Sequence, residues 1–355
     1  MKNILSASLV VILVSLNSCS DDSESVNFDR GPLLENLVDN IILPAYIDWD
    51  SRNQSLLQSV ETFINNRSIS SLTDTKVKWQ EARIAWKKAE PYNFGPIDSR
   101  FLNKAIDIFP VSEVGIDNAV ADFNGNDNYL DFVGSDKKGL GSMEYLLFSR
   151  AEDETLTFFE NSNQQEYLRL LATEQKLNSD IILNDWQSGY AEQFKNNTGN
   201  DAGASITLYT NSMIELIEII KNFKIATPLG LRTNSNPIPD LVESPHAKIS
   251  TKLIIENLHA IEDIFLGKQG VGLDDKLDEL GIYEDSGLLS VASLSKIDEC
   301  QTIANDIGEL QSAINSGSPV LDDFLVAIQE LTTLMKSDMM SQLGLIITFS
   351  SNDGD

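Results

Sequence analysis

Histidine, cysteine and positive charge are all scarce in this chain. Its 355 residues include two histidines, His246 and His259, and no H-E-x-x-H pair, so a zincin-type site is not supported. Lys and Arg number 26 against 54 Asp and Glu, giving a formal net charge of −28 and a pI near 4.3. Such a surface repels phosphate backbones, whose binding depends on basic contacts, and nucleic acid is excluded as an expected partner. The same acidity attracts cations at long range, yet it also keeps an extracellular protein from associating, so it is compatible with metal capture without proving it. No G-x-S-x-G elbow accompanies the serines, and the glycine-rich stretch 267–272 lacks the G-K-[ST] ending of a phosphate loop. That stretch reads as a helix–helix connection. Strand-type alternation is equally rare, with residues 345–349 the one short candidate.

Long apolar runs are missing after the first one. Lys2 precedes an apolar run over residues 4–16, too short to span a bilayer comfortably, and Leu16-Asn17-Ser18-Cys19 then approximates a bacterial lipobox. Residues 1–18 are therefore expected to be a lipoprotein signal peptide, with Cys19 the lipid anchor to the outer membrane. The alternative is an ordinary signal peptide with an incidental cysteine. Residues 19–29 form an acidic tether, and Ser20 to Glu24 resembles the tract that carries some bacterial lipoproteins to the outer cell surface; a solvated linker would look much the same. With Cys19 acylated, Cys300 has no intramolecular partner and stability must come from a packed core, for which 42% hydrophobic composition suffices.

What is abundant is helical periodicity. Leu33, Leu34, Leu37, Val38, Ile41 and Ile42 open a first helix that Pro44 should kink or end. Further helices are expected near residues 56–64, 72–89 behind a Ser71-x-x-Asp74 capping box, 138–149, 164–194, 206–223, 245–266, 288–314 and 321–340. The asparagine- and glycine-rich segment 195–202 divides them, so the expectation is an all-α chain with an N-terminal bundle over 30–198 and a C-terminal bundle over 199–355.

The residues with chemistry cluster on few segments. Trp79, Arg83, Trp86 and Glu90 fall at i, i+4, i+7 and i+11, one narrow stripe of a helix. Arg83 can stack on either tryptophan while pairing with a carboxylate, Glu90 or Glu144. The stripe reads either as a pocket wall or as a buried structural network. Glu144 precedes the apolar run Tyr145-Leu146-Leu147-Phe148 and is expected to be buried, which demands a cation, a metal or a proton; Arg83 is the preferred partner. Glu256-x-x-His259 has di-iron spacing, but such sites need two of these motifs, and a solvated face explains it better. Residues 122–128 resemble the start of a calcium loop with its glycine two places early and Val133 at the bidentate position.

Lys138 to Phe148 also looks like the G-x-H-x-x-E signature of the imelysin-like (insulin-cleaving peptidase) family, with Gly141 in the histidine position and Glu144 retained. Three more segments carry the resemblance. They are Trp79 to Glu90 with Phe94-Gly95-Pro96-Ile97-Asp98 behind it, Asp240-Leu241-Val242-Glu243-Ser244, and the C-terminal run from Leu343-Gly344 to Asn352-Asp353-Gly354-Asp355. The resemblance implies two helical bundles with a groove between them, and a site there built on the His/Glu pair. It also adds Asp98 and Glu243 as groove candidates. A histidine and a glutamate could jointly hold a metal; Gly141 leaves Glu144 a much poorer ligand, and no catalytic residue is assigned. The reading that follows is a non-catalytic cell-envelope lipoprotein, periplasmic or surface-exposed, that binds a ligand in the groove for iron or haem uptake beside a transporter, with iron or another divalent metal the candidate cofactor. A metallopeptidase with an atypical site, and a peptide-binding scaffold, are the alternatives.

Overall fold

The computed structural model describes residues 28–284 and 287–349. The expected signal peptide, Cys19 and nearly all of the expected acidic tether lie outside the described residues, as does the closing Asn352 to Asp355. Within them the chain is all-α; the described strands are the short antiparallel pair Tyr283–Glu284 and Gly287–Leu288. Residues 345–349 form no strand.

Helix α1, Gly31–Asn36, runs through a π turn at Leu37–Ile42 into α2, Leu43–Asn65. Pro44 therefore does not end the helix. The Leu43 N–H reaches back five residues to Val38 O, widening the turn where the proline ring would otherwise meet the carbonyl four residues before it. Helix α3, Ile69–Ala89, begins three residues earlier than expected because the capping box is Ser68 with Ser71, whose side chains and backbone N–H groups satisfy each other. Helix α4 is Gly139–Phe148 and α5 is Ser162–Asp185. Gly139 has φ +79, and a Cβ there would lie 2.7 Å from Ile106 O, so α4 can start against residues 105–106 only with glycine.

Helix α6, Ser205–Ile219, continues into a π turn, Ile220–Ala226. Helix α7 is Ser250–Leu266, five residues shorter at its start than the periodicity implies, because the backbone around 244–247 serves the site described below. Helices α8, Leu289–Ile307, and α9, Val320–Thr333, follow; Gly308 at φ +71 breaks the long helix expected over 288–314. Packing falls into two sets: α2 lies against α3 and α5, and α8 lies against α7 and α9. The sets meet where α3 packs on α7, and one hydrophobic cluster runs unbroken from Phe28 to Leu345. Cys300 is buried inside it, and burial pushes its thiol up to about 12.

Candidate functional site

Where α3 meets α4 and α7, six ionised side chains are removed from water together. Arg83 and Lys87 come from α3, one turn apart. Asp107 follows the short helix Asn103–Ile106, Glu144 lies on α4, Lys224 sits in the π turn after α6, and Glu243 precedes α7. None of the six side chains is more than 2% exposed. Three cations face three carboxylates, so the cluster is neutral, as burial on this scale requires.

The Arg83 guanidinium makes four hydrogen bonds. Its Nε and Nη2 donate to the two oxygens of Asp107 at 3.3 and 3.1 Å, Nη2 also donates to the Glu243 carbonyl at 3.0 Å, and Nη1 donates to Glu144 Oε2. The planar donor fork suits this many-sided pairing, and the guanidinium carbon lies 5.3 Å from the Trp79 ring. Burial alone would lower its pKa, but Asp107, Glu144 and Glu243 reverse that and hold it charged. Lys87 behaves likewise, with its ammonium 2.9 Å from Asp107 Oδ2, 2.6 Å from Glu243 Oε1 and 3.0 Å from Glu90 Oε1. Lys224 donates to Glu243 Oε1 at 3.1 Å and to Asn257 Oδ1 at 2.6 Å. It also lies 2.9 Å from Glu243 Oε2, an ionic contact made off the hydrogen-bonding direction. Asn257 returns its amide to Lys87 O and to Glu90 Oε2.

Glu144 is saturated as well. Its Oε1 accepts from Ser244 Oγ, His246 N and Ala247 N, each at 2.9 Å, while Oε2 takes Arg83. These donors explain why α7 begins late: the 244–247 backbone turns its N–H groups onto a carboxylate instead of entering the helix. The stripe residues divide. Trp79 donates its indole N–H to Leu140 O at 2.9 Å and packs on Phe148, Trp86 packs on Trp49, and Glu90 pairs with Lys87. Arg83 thus stacks on Trp79 and pairs with Glu144 rather than Glu90.

No single cavity holds all the candidates. Trp86, Glu90 and Asp107 line one of about 370 Å³ facing α6, whereas Gly141, Glu144, Glu243 and His246 line one of about 40 Å³ on the other side of Ile108 and Phe109. Asp98 is exposed outside both. His259 is exposed too, and Glu256 beside it pairs with Lys88.

Residues 42–286 match the model of the imelysin peptidase family. The chain belongs to the imelysin family. An iron-regulated protein A of Synechococcus elongatus is 21% identical over 250 residues, 68% of this chain; the chain spans 65% of that curated relative's length. Two solved structures share the fold. One, named for an iron-regulated protein A precursor from Parabacteroides distasonis, matches with TM-score 0.75 at 20% identity over 88% of this chain and 94% of its own. The other, an imelysin-like protein from Psychrobacter arcticum, matches with TM-score 0.74 at 18% identity over 92% of this chain and 99% of its own.

Within this imelysin fold the motif position is closed. A Cβ on Gly141 would lie 2.8 Å from Ile108 O and 2.8 Å from Val111 Cγ1, so the 107–111 segment occupies the space a side chain would need. The residues present do not fit a metal there. Glu144 already has four donors, three cations stand in the same cluster, and among the described residues no group of three or more His, Cys, Asp and Glu side chains is arranged to hold a metal. His246 stands nearby, half-buried against Tyr145, with its Nε2 2.8 Å from Glu113 Oε1 rather than on Glu144. Lys87, Asp107, Lys224 and Asn257 were missed from sequence. Lys87 had the plainest signal, lying at i+4 from Arg83 on the stripe already singled out.

The cluster sets an acid limit on the fold. Burial raises the Glu243 pKa, but Lys224, Lys87 and Arg83 outweigh it and hold the carboxyl down to about 2, below its ordinary 4.5. A folded-state pKa below the unfolded one gives stability that is complete above 4.5 and is lost as pH falls from there toward 2. Urea midpoints measured across that window should fall with acid, and less steeply in Glu243→Gln than in the parent. Equal slopes would remove Glu243 from the acid sensitivity.

Proposed function

We propose that this imelysin-family chain is a non-catalytic binding protein of the bacterial cell envelope, anchored to the outer membrane through lipid on Cys19 and serving iron acquisition. The observation that carries the non-catalytic reading is the saturation of Glu144 beside a closed Gly141. A general base or a metal ligand needs a free lone pair and an approach path; here three donors crowd Oε1, Arg83 holds Oε2, and the cavity beside the carboxylate is about 40 Å³. The charged cluster then acts as the structural joint between the two helix sets, and the large cavity beside it is the place for a ligand. The iron connection is supported by the name of the Synechococcus relative, and the envelope location by the lipobox-like residues 16–19.

Three measurements on one strain test this. A deletion should slow growth under iron limitation, Cys19→Ala should release the protein into soluble fractions without restoring growth, and the purified chain should leave insulin intact with or without added divalent metal. Chelator-sensitive cleavage that disappears in Glu144→Ala would replace this reading with a peptidase. Normal growth of the deletion strain under iron limitation would remove the iron role.

A further inference from the structure

The larger cavity joins two kinds of wall. Trp86, Phe109 and Phe223 supply aromatic surface, with Lys224 5.8 Å from the Phe109 ring and Arg232 5.3 Å from the Phe223 ring, while Glu90, Asp107 and Glu215 supply carboxylates and Lys104 the one lining cation among the described residues. The charges do not balance as they do in the adjoining cluster. There Arg83, Lys87 and Lys224 match Asp107, Glu144 and Glu243, so Glu90 is already in excess; its side chain remains 19% exposed. Glu215, at the exposed rim, has no hydrogen bond or ion pair from any described residue. Burial and then the like charge of Asp98 raise its pKa, the behaviour of a carboxylate short of a cation. Leu216 and Ile219 line the cavity with Trp86, so much of its wall is apolar.

We infer that the cavity between α3 and α6 takes an organic cation: an ammonium group held between Glu215 and the aromatic rings, on an apolar body that lies along the rest of the wall. The volume of about 370 Å³ accommodates a ligand of small-molecule size. Carboxylate and aromatic faces both favour a cation, and both act most strongly when water is displaced. An anionic ligand such as haem would instead bring its carboxylates to a mouth of the same sign. This inference rests on the binding reading above and names the charge class of its ligand.

The test uses three isosteres, titrated calorimetrically into the intact protein: tyramine (cation), tyrosol (neutral) and hydroxyphenylacetate (anion). Tyramine should bind at least about tenfold tighter than tyrosol, with hydroxyphenylacetate weakest. Glu215→Gln should lower tyramine affinity about tenfold and leave tyrosol unchanged, and Ile219→Trp, which fills the cavity, should abolish binding while the melting temperature shows that both variants are folded. If all three probes bind equally and Ile219→Trp blocks them, the charge assignment falls while the binding reading stands. If none binds, or if Glu215→Gln leaves the order intact, the organic-cation site is overturned, whatever the growth and insulin experiments show.

Discussion

Replacing Arg83 with methionine is expected to destabilise the protein by about 3–5 kcal/mol, the range for breaking a buried ion pair from one side. The side chain fills similar space, so the loss is electrostatic: Asp107 and Glu144 both lose their main cation with no water to replace it. Glu144→Gln should cost less, because the amide oxygen can still accept from Ser244, His246 and Ala247. Combining the two should cost less than the sum by more than about 1 kcal/mol, since each change relieves the charge the other strands. Urea unfolding followed by circular dichroism measures all four corners of this cycle. Additive effects would show that Arg83 and Glu144 are neighbours without being coupled.

Gly141→His is the second large effect, and it runs against the intuition that restoring a motif restores its chemistry. The new Cβ meets a backbone carbonyl and a valine methyl at 2.8 Å, and neither is the free end of a flexible chain. Overpacking of this kind costs about 1–3 kcal/mol, and no gain in divalent-metal affinity is expected because Glu144 stays saturated. Gly141→Ala should already show part of the loss. Thermal denaturation beside metal titration decides it: a variant of unchanged stability that binds zinc or iron would mean that the 107–111 segment moves aside and the site is only dormant.

How much of this was legible in the sequence depended on whether the signal was local. Helices with an apolar stripe were readable, and so was the all-α class, because a 3.6-residue period reports its own buried face. Ends were not: Pro44 was absorbed by a π turn, and the start of α7 was displaced by a carboxylate a hundred residues away, which no local pattern encodes. The stripe on α3 named Arg83, yet it could not say which carboxylate that side chain would choose. Asp107 sits between Ile106 and Ile108, and Lys224 between Phe223 and Ile225, single charges in apolar company. A charge in such a setting is a signal of pairing, but the partner is a tertiary fact.

The cluster also has a history within each folding event. Its contacts join residues 61, 100, 160 and 170 positions apart, so no short segment can assemble it and its members are expected to stay hydrated until helices of both sets have docked. Dehydrating these charges is then expected to be a late step, on the native side of the folding barrier. Losing Arg83 should accordingly raise the unfolding rate and leave the refolding rate nearly unchanged, readable as movement of one arm of a chevron plot. A lock that closes last and opens first sets the lifetime of the native state rather than the speed of reaching it.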